Sequence, residues 1–166
     1  MMLQRAFIYI FVFLIIRPDA YPGAGDWSQW RGPGRDGVVK GFPVDTKWPP
    51  SFTSVWSIVV GTGHSSPAVM DDTVFVFSRE SEEEVARAIH FATGKVLWRS
   101  SYPAPYQEYV GAMEHGRGPK STPVLYDDKL FTLGISGILS CFSMSDGKLL
   151  WQKNFAGRFP ATAGRP

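Results

Sequence analysis

One stretch of this chain occurs twice. Phe91-Ala92-Thr93-Gly94-Lys95-Val96-Leu97-Trp98 returns as Met144-Ser145-Asp146-Gly147-Lys148-Leu149-Leu150-Trp151. Each copy is a short polar turn ending in Gly-Lys, then two aliphatics and a tryptophan. Gly94 and Gly147 supply the positive φ that a tight hairpin turn needs, and the run after each reads as a strand. The match extends upstream. Ser65-Ser66-Pro67-Ala68-Val69-Met70-Asp71-Asp72-Thr73-Val74-Phe75-Val76-Phe77 aligns with Ser121-Thr122-Pro123-Val124-Leu125-Tyr126-Asp127-Asp128-Lys129-Leu130-Phe131-Thr132-Leu133, and the first copy carries three extra residues between Phe77 and Val85. An internal repeat restricts the fold to architectures that stack one supersecondary unit many times.

Within each copy the pattern predicts four short strands. In the first they fall at 67–70, 74–77, 85–91 and 96–99; in the second at 123–126, 130–133, 138–144 and 149–153. Four sequential strands joined by hairpins make one twisted antiparallel sheet, the blade of a propeller. Val74-Phe75-Val76-Phe77 is apolar at every position, as suits a strand covered on both faces. Ser54-Val55-Trp56-Ser57-Ile58-Val59-Val60 reads as the fourth strand of a blade whose first three are missing, so the tryptophan series is Trp56, Trp98 and Trp151. The expected fold class is all-β: a partial β-propeller of about two four-stranded antiparallel blades, near 65–99 and 121–153, plus a leading strand.

Residues 1–25 read as a targeting segment. Arg5 gives a positive start and the apolar run 6–16 is too short to span a bilayer, though right for a signal-peptide core. Cleavage after Gly25 leaves Asp26 as the new terminus; an uncleaved N-terminal anchor is the alternative. Either way the chain is expected to be exported, to the periplasm or cell envelope. The formal net charge is +2, and removing Arg5, Arg17 and Asp19 leaves the rest near neutral. That offers no electrostatic case for nucleic acid. Cys141 is the only cysteine, so it forms no internal disulfide and reads as a buried, inert thiol. Residues 26–54 read as a docking segment and linker, opening on Asp26-Trp27-Ser28-Gln29-Trp30-Arg31-Gly32-Pro33. Two indoles there suit a segment that packs on the body of the domain.

Function is sought on the loops. In an up-and-down blade, the loop after the second strand and the link to the next blade emerge on one face, and both are enlarged in the first copy. Arg79-Glu80-Ser81-Glu82-Glu83-Glu84 reads as the longer second-to-third loop, or simply a solvated hairpin tip; the link runs from Tyr102 to Pro119 and holds His115 and Arg117. His64 and Lys120 occupy equivalent repeat positions just before the innermost strand. They should therefore face the central channel mouth, which makes them candidates for an anionic ligand, or else they are plain turn residues. With His115 and Arg117 in the link, where a protein partner or small ligand would meet the loop face, the ligand candidates are His64, Lys120, His115 and Arg117. Gly116-Arg117-Gly118-Pro119-Lys120-Ser121-Thr122 is not a phosphate loop, because the glycine spacing is wrong and Pro119 removes a donor. His64, His90 and His115 lack metal-ligand spacing. No metal site and no catalytic residue is expected.

The repeated pattern of Ser-Ser-Pro or Ser-Thr-Pro, strand, acidic turn, strand, then Gly-Lys-x-x-Trp resembles the PQQ-like β-propeller repeat. This is the repeat of quinoprotein alcohol dehydrogenases and of the outer-membrane assembly lipoprotein propeller. The opening Trp-x-Gln-Trp-Arg-Gly-Pro, residues 27–33, is similar to the mature N-terminus of many exported bacterial proteins built from such repeats. The resemblance covers about residues 26–160. It implies that Trp98 and Trp151 dock between adjacent blades, with Gly94, Lys95, Gly147 and Lys148 forming the structural turns. It also implies PQQ as a family cofactor. The family's enzymes hold that quinone against adjacent cysteines and a calcium with a catalytic Asp, and no adjacent cysteines occur here. The reading is therefore an exported binding or scaffold module, with 55–166 an incomplete propeller. Its partners are the remaining blades of a larger protein, or other copies that complete a ring. A dehydrogenase whose catalytic blades lie beyond residue 166 is the alternative.

Overall fold

Asp-Asp pairs and Gly-Lys pairs close the hairpins that the repeat implies. In the computed structural model, which describes residues 25–40, 50–106 and 116–156, eight strands follow in order: β1 (Ala68–Met70), β2 (Thr73–Glu80), β3 (Glu83–His90), β4 (Val96–Pro103), β5 (Val124–Tyr126), β6 (Lys129–Leu133), β7 (Ile138–Ser143) and β8 (Leu149–Asn154). They build two four-stranded antiparallel sheets, β1-β2-β3-β4 and β5-β6-β7-β8, in which neighbours in space are neighbours in sequence. These are two propeller blades. Asp71 (φ 50), Asp127 (φ 49) and Asp128 (φ 56) turn through the left-handed region, which a short polar side chain tolerates by bonding locally.

Each blade carries a bulge at the same place. Ala88 faces Trp98 but Ile89 faces Val96, skipping Leu97; Cys141 faces Trp151 but Phe142 faces Leu149, skipping Leu150. The second aliphatic of the repeat is thus the extra residue, and it re-aims the tryptophan that follows.

Two sequence expectations change. The run 79–84 is not a loop. Strand β2 continues through Glu80 and β3 starts at Glu83, leaving Ser81 (φ 52) and Glu82 as a two-residue turn. The three extra residues lengthen the arms of the hairpin, with Arg79 paired to Glu84 and Glu80 to Glu83. Likewise Tyr102 and Pro103 belong to β4, so the link to blade 2 begins at Ala104.

The core lies between the blades. Ala68, Phe75, Phe77, Ala86, Ala88 and Tyr102 of blade 1 meet Leu125, Leu130, Ile138 and Phe142 of blade 2. Small alanines on β1 and β3 let the larger side chains of blade 2 approach, so the contact fills by interdigitation. Tyr102 stacks on Phe142 with ring centroids 6.3 Å apart.

Two segments outside the sheets bind to them. The Trp27 N–H donates to the Val69 carbonyl at 2.8 Å, the Trp27 carbonyl accepts from the Val69 N–H at 2.9 Å, and the Leu125 N–H donates to the Ser28 carbonyl at 2.8 Å. This strap joins the inner edges of both blades. Residues 53–61 form no ladder among the described residues, yet their side chains alternate. Trp56, Ile58 and Val60 are partly buried against blade 1, whereas Val55 (82% exposed) and Val59 (92%) face solvent. A period of two is that of a strand. The Val60 carbonyl accepts from Arg87 at 3.0 Å and from the Ser78 hydroxyl.

Candidate functional site

The loop face is organised around Glu82. The Ala104 N–H donates to the Glu82 carbonyl at 2.9 Å, folding the start of the link back over the β2–β3 turn. Arg117, on the returning limb, pairs with the Glu82 carboxylate at 2.9 Å and donates to the Tyr106 carbonyl at 2.7 Å. Arg79, only 2% exposed, reaches the same carboxylate at 2.9 Å from β2. Two guanidiniums sharing one carboxylate is an arrangement suited to an anion. Arg79 Nη1 and Arg117 Nε are buried there without an acceptor.

The two strand-start residues come together through the main chain. The His64 N–H donates to the Pro119 carbonyl at 2.9 Å, and the Ser65 hydroxyl donates to the same oxygen at 3.2 Å. A Cβ on Gly118 would stand 2.5 Å from Gly63 Cα, so glycine permits this close crossing. His64 and Lys120 are both exposed, and Lys120 Nζ donates to the Gly116 carbonyl at 3.2 Å. His64, Lys120 and Arg117 therefore gather around residues 116–120; His115 lies outside the described residues.

The repeat tryptophans show what the Gly-Lys turn is for. Trp98 Nε1 donates to the Met144 carbonyl of blade 2 at 2.8 Å, and its ring lies on Gly147, where a Cβ would stand 2.5 Å from Trp98 Cε3. Trp56 repeats this on blade 1: Nε1 donates to the Phe91 carbonyl at 2.7 Å, and the ring covers Gly94. Gly94 (φ 69) and Gly147 (φ 71) thus serve both as turn residues and as the floor under an indole. The polar residue before each glycine helps close the turn, since Thr93 Oγ1 accepts from the Lys95 N–H at 3.4 Å and Asp146 Oδ1 from the Lys148 N–H at 3.1 Å. Trp151 keeps its aromatic neighbour, Phe131 at 6.1 Å, just as Trp98 keeps Phe75 at 6.0 Å. It meets no such turn among the described residues, and 39% of it is exposed.

Sequence reasoning missed Glu84, which is fully buried at the blade–blade contact. The Tyr102 hydroxyl donates to its Oε2 at 2.9 Å and the Ile135 N–H of blade 2 to its Oε1 at 2.8 Å. Burial pushes the Glu84 carboxyl above the usual carboxylate range, against the opposing pull of Tyr102, Ile135 and Arg79. Burial and the neighbouring Glu84 likewise raise the Tyr102 phenol. Glu80, four residues earlier, behaves in the opposite way: Arg99 at 2.8 Å, with Arg87 beside it, holds it below the usual range.

Residues 81–164, just over half of the chain, match the family described as outer membrane protein assembly factor BamB. The chain belongs to this family. No curated protein matches it. Among solved structures, BamB from Moraxella catarrhalis is similar at 21% identity and TM-score 0.43, covering 61% of this chain and 31% of that one. A europium-containing methanol dehydrogenase is similar at 18% identity and TM-score 0.39, covering 61% and 17%. Quinohemoprotein alcohol dehydrogenase from Comamonas testosteroni gives 20% and 0.39, covering 57% and 13%. The chain spans about a third or less of the length of each. The range matched to the BamB family opens in the β2–β3 turn and takes in Glu84, Trp98, Gly147 and Trp151.

Proposed function

We propose that this chain is an exported propeller module that binds or scaffolds other proteins without catalysis of its own, and that it forms the N-terminal part of a larger propeller. One observation carries the reading. Trp98 covers the turn of blade 2, whereas Trp151 (39% exposed) stands on a face of that blade that the strand register also gives to Leu133 (43% exposed) and Val124 (38%). That face repeats the geometry of a blade contact and suits a further blade. Both described turns are already covered by the chain's own indoles, Gly94 by Trp56 and Gly147 by Trp98. A second copy therefore offers Trp151 no vacant turn, and the remaining blades of a longer propeller fit better than self-association.

Export rests on Arg5 and the apolar run 6–16, and the family's name, an outer membrane assembly factor, agrees with the periplasm or cell envelope. On this reading 1–25 is the signal peptide or anchor, 26–54 the docking segment and linker, and 55–166 the incomplete propeller. The loop face, with His64, Lys120 and Arg117, is the surface offered to an anionic ligand or an acidic segment of a partner.

The quinone of the family's enzymes does not fit the residues present. It needs adjacent cysteines, and the sole cysteine, Cys141, is fully buried in β7 with its thiol raised by burial. The solution mass, by light scattering after size-exclusion chromatography, tests the proposal. No discrete ring-closing oligomer is expected. A defined tetramer supplying eight blades would overturn the exclusion of self-association, and stoichiometric quinone binding would favour the dehydrogenase reading.

A further inference from the structure

The carboxylate of Glu84 belongs to blade 1, yet one of its two hydrogen-bond donors, the Ile135 N–H, comes from the β6–β7 turn of blade 2. That turn closes on itself: the Gly134 N–H donates to the Ile138 carbonyl at 2.9 Å and the Gly137 N–H to the Gly134 carbonyl at 3.1 Å. Its shape is therefore held by its own backbone bonds and does not depend on Glu84. Gly134 lies directly against the carboxylate, so close that a Cβ there would overlap it. We propose that Glu84 is a proton-responsive latch between the blades: the turn 134–137 is held on blade 1 most firmly when Glu84 carries a proton, and is released as Glu84 ionises.

The sign follows from the surroundings. Facing Glu84 from its own blade are the Tyr102 phenol on β4 and the Arg79 guanidinium on β2, the latter already engaged by Glu82 and the Ser81 carbonyl. Blade 2 contributes the neutral Ile135 amide and, around the Tyr102 hydroxyl, the neutral Ser140 and Thr132. No full positive charge from blade 2 compensates the carboxylate. Burial is the largest influence on Glu84 and outweighs the bonds that favour its ionised form. When the turn undocks, Glu84 meets water and returns to ordinary carboxylate behaviour. The docked state thus binds the proton more tightly than the released state. Docking is strongest below the ordinary value of 4.5 and weakens as pH rises through the raised midpoint, by up to about tenfold in the docking constant per pH unit.

The Ile135 amide reports on the latch directly. In the full chain, labelled with nitrogen-15, its proton resonance should titrate with a midpoint above 4.5, and its exchange protection factor should fall as pH rises. Glu84→Gln should abolish both effects. Tyr102→Phe removes a bond that favours the carboxylate and should move the midpoint upward. An Ile135 amide that does not titrate, that titrates unchanged in Glu84→Gln, or whose protection is flat or rises with pH would overturn the proposal. Should Glu84→Gln fail to fold, the direction of the Tyr102→Phe shift decides alone, and a downward or absent shift refutes the latch.

Discussion

Replacing Gly147 with alanine separates the turn role of the repeat glycine from its role under the indole. Two costs are expected. The residue sits at φ 71, where a Cβ costs about 1–2 kcal/mol. The new methyl would also stand 2.5 Å from Trp98 Cε3. The ring has little room to yield, because Nε1 is bonded to the Met144 carbonyl at 2.8 Å and Phe75 packs at 6.0 Å; such overpacking costs about 1–3 kcal/mol. Gly147→Ala alone should therefore destabilise by about 2–5 kcal/mol. In a Trp98→Ala background the clash with the ring is gone, leaving the backbone cost and the 2.9 Å approach to Ser100 Oγ, so the double mutant should be more stable than the sum of the singles by about 1–3 kcal/mol. Trp98→Ala itself removes a partly buried indole and should cost about 3 kcal/mol, the lower end for such truncations. Urea denaturation of the four proteins, followed by far-ultraviolet circular dichroism so that losing Trp98 does not remove the probe, measures the cycle. Additivity within about 0.5 kcal/mol would refute the coupling, and the glycine would then be a turn residue alone.

Two further outcomes follow from burial and charge. Cys141, fully buried and with its thiol raised by that burial, should react with a disulfide reagent only as the chain unfolds; rapid reaction of the native protein would show that blade 2 opens. Glu80 is held below the usual carboxylate range by Arg99 and Arg87, so its stabilisation is present above 4.5 and is lost as pH falls through the lowered midpoint. The melting-temperature advantage of wild type over Glu80→Gln should shrink on acidification over that window, and a constant difference would contradict the assignment.

The strands were legible because the hairpins obey local rules. Asp-Asp and Gly-Lys turns punctuate short apolar runs, and each of the eight strands overlaps the run expected for it, although β2, β3 and β4 extend further along the hairpin arms than the repeat indicated. What stayed hidden depends on distant partners. The run 79–84 is charged at five of its six positions, and charge in a short segment reads as solvation. Arg79 and Glu84 are nevertheless buried, because Glu82 neutralises the first and Tyr102 and Ile135 bond the second. Ile135 lies in the next blade, so nothing local to Glu84 announces it. The length difference between the copies was legible but was placed at the tip of the hairpin rather than along its arms, since a three-residue insertion does not itself say whether it pairs. On the loop face, the approach of His64 to Pro119 runs through backbone hydrogen bonds and crossing glycines, which leave little trace in side-chain type.

The near-overlap of Gly134 with the Glu84 carboxylate carries a consequence for descent. The two positions occupy one volume, which either a methyl group or a carboxylate can fill, but not both. Among relatives that keep this blade pair, a residue larger than glycine at 134 should therefore be accompanied by a shorter side chain at 84. Neither change is tolerated first without weakening the contact, so the two positions are expected to drift as a pair.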